Sequence, residues 1–179
     1  MLGNFKRLKD YKEIRDLNTD STKKGASKMS AHNKFGCVSI REVYWTAKLK
    51  CKEQSEDYIK QLFWREFFYF IGEFYPHVWD GKPLQQMYDK LQWWDDEELF
   101  TRWKEGRIGF PIVDAAMRHM NATGFMTNRN RLIVSNYLIK DLHLNWQLGE
   151  QYFAQKLVDY DPCQNNGGWQ WSAGCGVDT

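Results

Sequence analysis

The chain has 179 residues, 42% of them hydrophobic and 27% charged. It is long enough to bury a substantial core and too apolar for an extensively disordered segment. No stretch approaches the roughly 20 apolar residues of a membrane-spanning helix, and net charge is only +2, too small to announce a nucleic-acid binder. Its distribution says more: residues 1–60 carry 14 Lys/Arg against 8 Asp/Glu, and residues 61–179 carry 11 against 15. A basic front can meet phosphates, of DNA or of a dinucleotide, and it reads equally well as a solvated charged face.

The first ten residues lack an apolar signal region, so the chain is expected to be intracellular. Four cysteines, at 37, 51, 163 and 175, form no CxxC and have no histidines at zinc spacing. Free thiols are expected, with no metal.

Taken in chain order, 16–36 is polar, small and basic with no periodicity, and reads as a long loop. Residues 39–51 predict a helix, with Ser39 as N-cap and Val43 and Ala47 inward. Over 55–75, Ile59, Leu62, Phe63, Phe67, Phe70 and Phe74 fall three or four apart, an apolar helix face stopped before Pro76. A second loop is expected at 76–83. Helical spacing returns at 110–122, with Pro111 suited to the first turn, then at 128–142 and 147–158. The run 161–176 is rich in Asn and Gly and reads as a third loop. Strand alternation is sustained nowhere, so the predicted fold class is all-α, one domain over 1–179.

Four features can carry chemistry. GASKMS (25–30), with Lys23, Lys24 and Lys28, has the small residues and hydroxyls that cradle phosphate, although most such stretches are simply loops. DYDPCQNNGGWQW (159–171) offers acids and carboxamides to a heterocycle edge and glycines that allow close approach; its bland alternative is a helix end with a turn. In TNRNR (127–131), Arg129 and Arg131 need partners if buried, and Asp159 and Asp161 are available. In QLFWREFF (61–68), Trp64 and Arg65 either clamp nucleic acid or pack. The nine Trp also admit passage of electrons to a buried oxidant. The four histidines are scattered and carry no catalytic assignment.

Taken together, YKEIRD (11–16), SKMSAHNKFGCVSIREVYW (27–45), WREFF (64–68), WxxGxxGFPIVDAAMR (103–118), NRNR (128–131) and DYDPCQNNGGWQWSAGCGVD (159–178) resemble the flavin-binding helical domain of the DNA photolyase/cryptochrome family. The resemblance covers Tyr11 to Asp178 and is nearest to the cyclobutane pyrimidine dimer photolyases. It implies FAD within a helical bundle, and light-driven electron transfer from reduced flavin to a dimer that photolyases take out of the base stack. The usual member also has an antenna domain and further closing helices, so the expectation is a truncated or split catalytic domain with a complementing chain as partner.

Residue by residue, the resemblance implies FAD contacts from Tyr11, from the phosphate loop Ala26, Ser27, Lys28, Met29 and Ser30, and from Arg131, Asp159, Tyr160, Asp161 and Asn165. Ala26 lacks a hydroxyl that the family's string carries, a loss of about 1 kcal/mol in affinity. Asn165 matches the residue facing the flavin's reactive nitrogen; Trp169, Trp146 and Trp93 match a photoreduction chain running outward to solvent. The DNA side is implied at Arg15, Gln61, Trp64, Arg65, Asn128, Arg129 and Trp171. Gln61 stands where the best-known class has Glu, and Thr127 stands where (6-4) photolyases need His, which disfavours that activity. A cryptochrome-like light sensor and a degenerate non-enzymatic remnant are the alternatives.

Overall fold

Every regular element is helical in the computed structural model, which describes residues 11–16 and 27–177. The one β-type pairing among them is a single parallel bridge between Trp94 and Leu144. The helices are α1 (Tyr11–Ile14), α2 (Ser30–Lys34), α3 (Ile40–Cys51), α4 (Glu56–Phe74), α5 (Glu97–Glu105), α6 (Pro111–Thr123), α7 (Asn128–Asn136), α8 (Trp146–Lys156) and α9 (Pro162–Ala173). The predicted all-α class is the observed one.

Local chemistry explains most boundaries. Ser39 is extended, as an N-cap residue should be, but its side chain caps nothing. Pro76 ends α4 and opens a 3-10 turn over Pro76–Asp80, where the sequence reading expected only loop. Asn145 accepts from the Gln147 amide at 3.0 Å to start α8. α7 runs on into a π-helical turn, Tyr137–Asp141, the widened form that recurs near functional sites.

Three expectations need correction. First, α2 lies inside 16–36. Second, α5 was not foreseen, although its ends are well marked. Asp96 accepts from the Leu99 amide at 2.8 Å, and Gly106 closes the helix at φ 67°. The helix is short and charged, and its apolar residues Leu99, Phe100 and Trp103 are too few to show a period.

Third, 161–176 is mostly helix. Asp161 is its N-cap, accepting from the amides of Cys163 (3.1 Å) and Gln164 (3.3 Å), with Pro162 in the first turn. The glycines that suggested a turn serve packing: a Cβ on Gly167 would run into the Phe68 ring. Tertiary contact overrides the poor helix propensity of glycine.

The chain divides into two compact units, Met1–Phe67 with Thr127–Arg129, and Phe68–Met126 with Asn130–Thr179. The core of the first is Met29, Val43, Ala47, Cys51, Tyr58, Ile59 and Leu62. The second is built around Trp103, Met117, Met120, Leu138, Leu144, Phe153 and Trp169. The face expected on α4 is only partly buried. At about 100° per residue, Tyr58, Ile59 and Leu62 fall on one flank and Phe63, Phe67, Phe70 and Phe74 on the next. The first flank is buried, while the four phenylalanines are exposed, Phe63 by 63% and Phe74 by 72%.

The WxxGxxGFPIVDAAMR string has a structural explanation. Gly106 and Gly109 take positive φ, and the buried Asp114 carboxylate accepts from the amides of Ile108 (2.8 Å) and Gly109 (2.9 Å). Arg118 donates to the Gly106 carbonyl. The string therefore secures the α5–α6 corner.

Candidate functional site

In the second unit, the residues before and within α9 form one buried polar set. Nη2 of Arg131 donates to both oxygens of Asp159, at 2.8 and 2.9 Å, while its Nε donates to the Met126 carbonyl at 3.0 Å. This is the pairing foreseen for Arg131. Asp159 and Asp161 are 8% and 5% exposed, so each depends on pairing and hydrogen bonding to offset its burial. Asp161 caps α9 and also accepts from the Tyr69 hydroxyl.

Asn165 is buried, and its Nδ2 donates to the Glu150 carbonyl at 3.0 Å. Asn166 donates to Glu150 Oε1 at 3.1 Å and to the Val78 carbonyl at 3.3 Å. Gln170 donates to Asn166 Oδ1 at 2.9 Å and accepts from the Leu84 amide at 2.7 Å. Burial pushes the Glu150 carboxyl above its usual range, against the opposing hydrogen bond from Asn166. Burial, with the charges of Glu150 and Asp161, also pushes the Tyr160 phenol up. Gly81, Gln147, Glu150, Tyr160, Pro162 and Asn166 line a cleft of about 440 Å³. The donor set suits a polar heterocycle. Asn165, next to the cleft residue Asn166 in the chain, uses one amide N–H on the Glu150 carbonyl, and its Oδ1 is an acceptor of the kind a ring N–H needs.

Trp169 and Trp146 are buried in this unit's core, and Trp93 packs against the same cluster. All three predicted indoles thus share one hydrophobic body. The Trp169 ring meets Phe153 edge-on at 5.0 Å between centroids and Trp103 at 6.2 Å. Gly149 makes room for it, because a Cβ there would overlap the indole. Trp171, two residues on, is 37% exposed.

In the first unit, Tyr11 meets Tyr58 edge-on at 5.4 Å, and the Arg15 guanidinium lies 5.5 Å from the Tyr11 ring centroid. Ser27 Oγ accepts from the Met29 amide at 3.3 Å, Lys28 takes φ 55°, and Ser30 opens α2. Ala26 lies outside the described residues. Burial pushes the Tyr58 phenol up to about 12, against the pull of Ser27 and Asn33.

On the side expected to meet DNA, Gln61 donates to the Asp57 carbonyl at 3.1 Å and Arg65 pairs with Glu66 at 3.1 Å. Trp64 is 43% exposed and meets Phe67 edge-on at 5.4 Å. Asn128 and Arg129 are exposed at the start of α7. One partner expectation fails. Arg129 pairs with Asp16 at 2.9 Å, not with Asp159 or Asp161, because two residues along a helix turn through about 200°, onto nearly opposite faces.

Sequence reasoning missed Glu150, Tyr69, Tyr58 and Trp103 as members of these sets. Only Trp103 had a signal, its place in a quoted string. The others contribute through contacts between residues far apart in the chain.

The family described as the FAD binding domain of DNA photolyase matches residues 58–179. A deoxyribodipyrimidine photo-lyase of Vibrio cholerae is 39% identical over 96% of the chain and 37% of its own length. That of Alkalihalophilus pseudofirmus is 42% identical over 97% of the chain and 36% of its own length. Among solved structures, a class III photolyase from Agrobacterium tumefaciens superposes with a TM-score of 0.90 at 37% identity, over 99% of this chain and 37% of that one. A cryptochrome from Synechocystis follows at TM-score 0.87 and 35% identity, over 97% and 36%. The chain spans a little over a third of the length of these relatives.

Proposed function

The chain belongs to the family of FAD-binding domains of DNA photolyase, and from that premise we propose that it serves light-driven repair of cyclobutane pyrimidine dimers in DNA. In this reading it is the catalytic part of a longer or divided photolyase, works with a complementing chain, and meets its substrate inside the cell. The observation that carries the reading is the buried polar set at α9, where an Arg131–Asp159 ion pair, Asp161 and Asn165 stand in the same unit as the Trp169 indole.

FAD, when bound, supplies the light-driven one-electron chemistry. Arg131, Asp159, Tyr160, Asp161 and Asn165 are the residues that would hold it in the second unit, and Tyr11 and Ser27 to Ser30 in the first. The protein's part is orientation and exclusion of water. The Arg131 clamp fixes the Asp159 carboxylate, and Glu150 fixes Asn165 so that its carboxamide oxygen is directed without rotamer search. Trp169 and Trp146 are oxidisable indoles in dry surroundings and Trp93 is a partly exposed one against the same cluster, an order suited to passing electrons inward. The exposed Trp64 and Trp171 offer flat faces for an extruded base, while Arg15, Gln61, Arg65, Asn128 and Arg129 offer donors to bases and phosphates.

The first test is the visible absorption of the purified chain, alone and with its complementing half. Near-stoichiometric flavin that bleaches under blue light with a reductant is expected, followed by dimer splitting in irradiated oligonucleotides. Flavin without dimer splitting would favour the light-sensing reading, to which the Synechocystis likeness lends support. No flavin in either preparation would leave a remnant.

A further inference from the structure

We propose that Trp103 and Tyr152 form an electron-relay branch linking Trp169 to the protein surface, so that an oxidising equivalent reaching Trp169 comes to rest on the Tyr152 phenol. The branch rests on the reading of Trp169 as donor to a photo-excited flavin, and it leaves that site by a different route from Trp146 and Trp93.

Three rings stand in sequence. Trp169 and Trp103 have centroids 6.2 Å apart at 71°, and Trp103 and Tyr152 are 6.1 Å apart at 62°. Both pairs are edge-to-face contacts. Electron tunnelling falls exponentially with the gap between rings, so touching rings favour stepwise transfer. Phe153 also touches Trp169 and stacks on Trp103, but a phenyl ring without a heteroatom is much harder to oxidise than indole or phenol, and it acts as packing.

Proton positions set the direction. Trp103 is fully buried, and its Nε1 donates to the Val134 carbonyl at 3.1 Å. A carbonyl is no base, so an oxidised Trp103 keeps its proton and remains a strong oxidant toward its neighbour. Tyr152 is only half-buried, and its hydroxyl donates to Asn121 Oδ1 at 2.8 Å on the exposed side. Burial holds that phenol above its usual pKa, so it carries its proton at neutral pH. The Lys156 ammonium, 5.6 Å from the ring centroid, disfavours a positively charged ring. Asn121 Oδ1 is no base either, but Tyr152 is partly exposed where Trp103 is sealed, so electron and proton leave Tyr152 together, the proton to solvent water.

The balance is one electron from Tyr152 through Trp103 to refill Trp169, which has given one to the oxidant. One proton passes from the phenol to solvent. The product is a neutral tyrosyl radical.

The test has two arms, each read by electron paramagnetic resonance with ring-deuterated tyrosine. In the first, an ultraviolet laser flash ionises indoles of the flavin-free chain in the presence of an electron scavenger. A tyrosyl signal is expected that is lost in Tyr152→Phe and in Trp103→Phe but kept in Trp146→Phe. Tyr152→Phe retains the ring at a half-exposed place, so it decides the matter even where Trp103→Phe fails to fold by circular dichroism. A tyrosyl signal unchanged in Tyr152→Phe overturns the branch. In the second arm, blue light acts on the chain loaded with FAD, and the same pattern is expected. Photoreduction with no radical at Tyr152 overturns the branch and leaves the flavin reading standing. The ultraviolet pattern in a chain that binds no FAD overturns the flavin reading and supports the branch.

Discussion

The inward face of α9 and the outward flank of α4 are both rich in aromatic and polar residues, yet they are built to opposite rules. On α9, Asn165, Asn166, Trp169 and Gln170 are all buried, and the three polar ones have hydrogen-bond partners. On α4, Phe63, Trp64 and Phe67 remain 37% or more exposed. On the function proposed above, the difference matches two kinds of chemistry. Groups that tune or pass electrons gain from a dry, rigid setting with few alternative conformers. Groups that receive a large polymer must stay open to it, and their surface exposure is the condition of their use.

The sharpest way to break this contrast is Arg131→Ala. It strands the Asp159 carboxylate in the interior, and urea unfolding should show a loss of about 3 kcal/mol. A loss under 1 kcal/mol would mean that Asp159 is less dependent on its partner than its burial implies.

Glycines give the next largest effect. Gly149→Ala forces a methyl into the Trp169 indole and should cost about 1–3 kcal/mol with a shifted Trp fluorescence. Gly168→Ala meets nothing within 4 Å, and it should stabilise α9 by up to about 1 kcal/mol. Equal effects at the two positions would contradict the packing described for α9.

Glu150 supplies a pH test. Its folded pKa lies above the ordinary 4.5, so the folded state favours the neutral acid. Stability from this group is present below 4.5 and is lost as pH rises through the raised value. Glu150→Gln stays neutral and keeps an acceptor for Asn166. It should therefore flatten the pH profile of denaturant unfolding and be the more stable protein at neutral pH. Parallel profiles for the two proteins would remove the burial argument.

Smallest in stability should be Trp64→Ala, at about 1 kcal/mol or less. Its effect belongs in binding: affinity for dimer-containing DNA should fall more than affinity for undamaged DNA. Equal losses would assign Trp64 to general packing or backbone contact.

Much of the fold was legible because helical periodicity is a local property. α3, α4, α6, α7 and α8 follow from apolar residues three and four apart, with Pro76 just past the end of α4 and Pro111 opening α6. α5 was hidden because its nine residues are mostly charged, and capping residues alone do not outweigh a missing stripe. α9 was misread because Asn and Gly favour turns locally, whereas Phe68, distant in the chain, needs the space that Gly167 leaves.

For the candidate site, residue identities pointed to stretches that the structure joins in one buried polar set. Asp159, Asp161, Asn165 and Trp169 sit within a few residues of one another, and their order carries the family resemblance. The sequence by itself determined the helical class, the family and the stretches that carry the family's motifs, since these depend on residue type and short spacing. Only the tertiary structure decided that Arg129 takes Asp16, that Glu150 holds Asn165 and Asn166, and that Trp103 bridges Trp169 and Tyr152. Each of those is a choice among partners far apart in the chain. Packing geometry makes that choice, and no local preference encodes it.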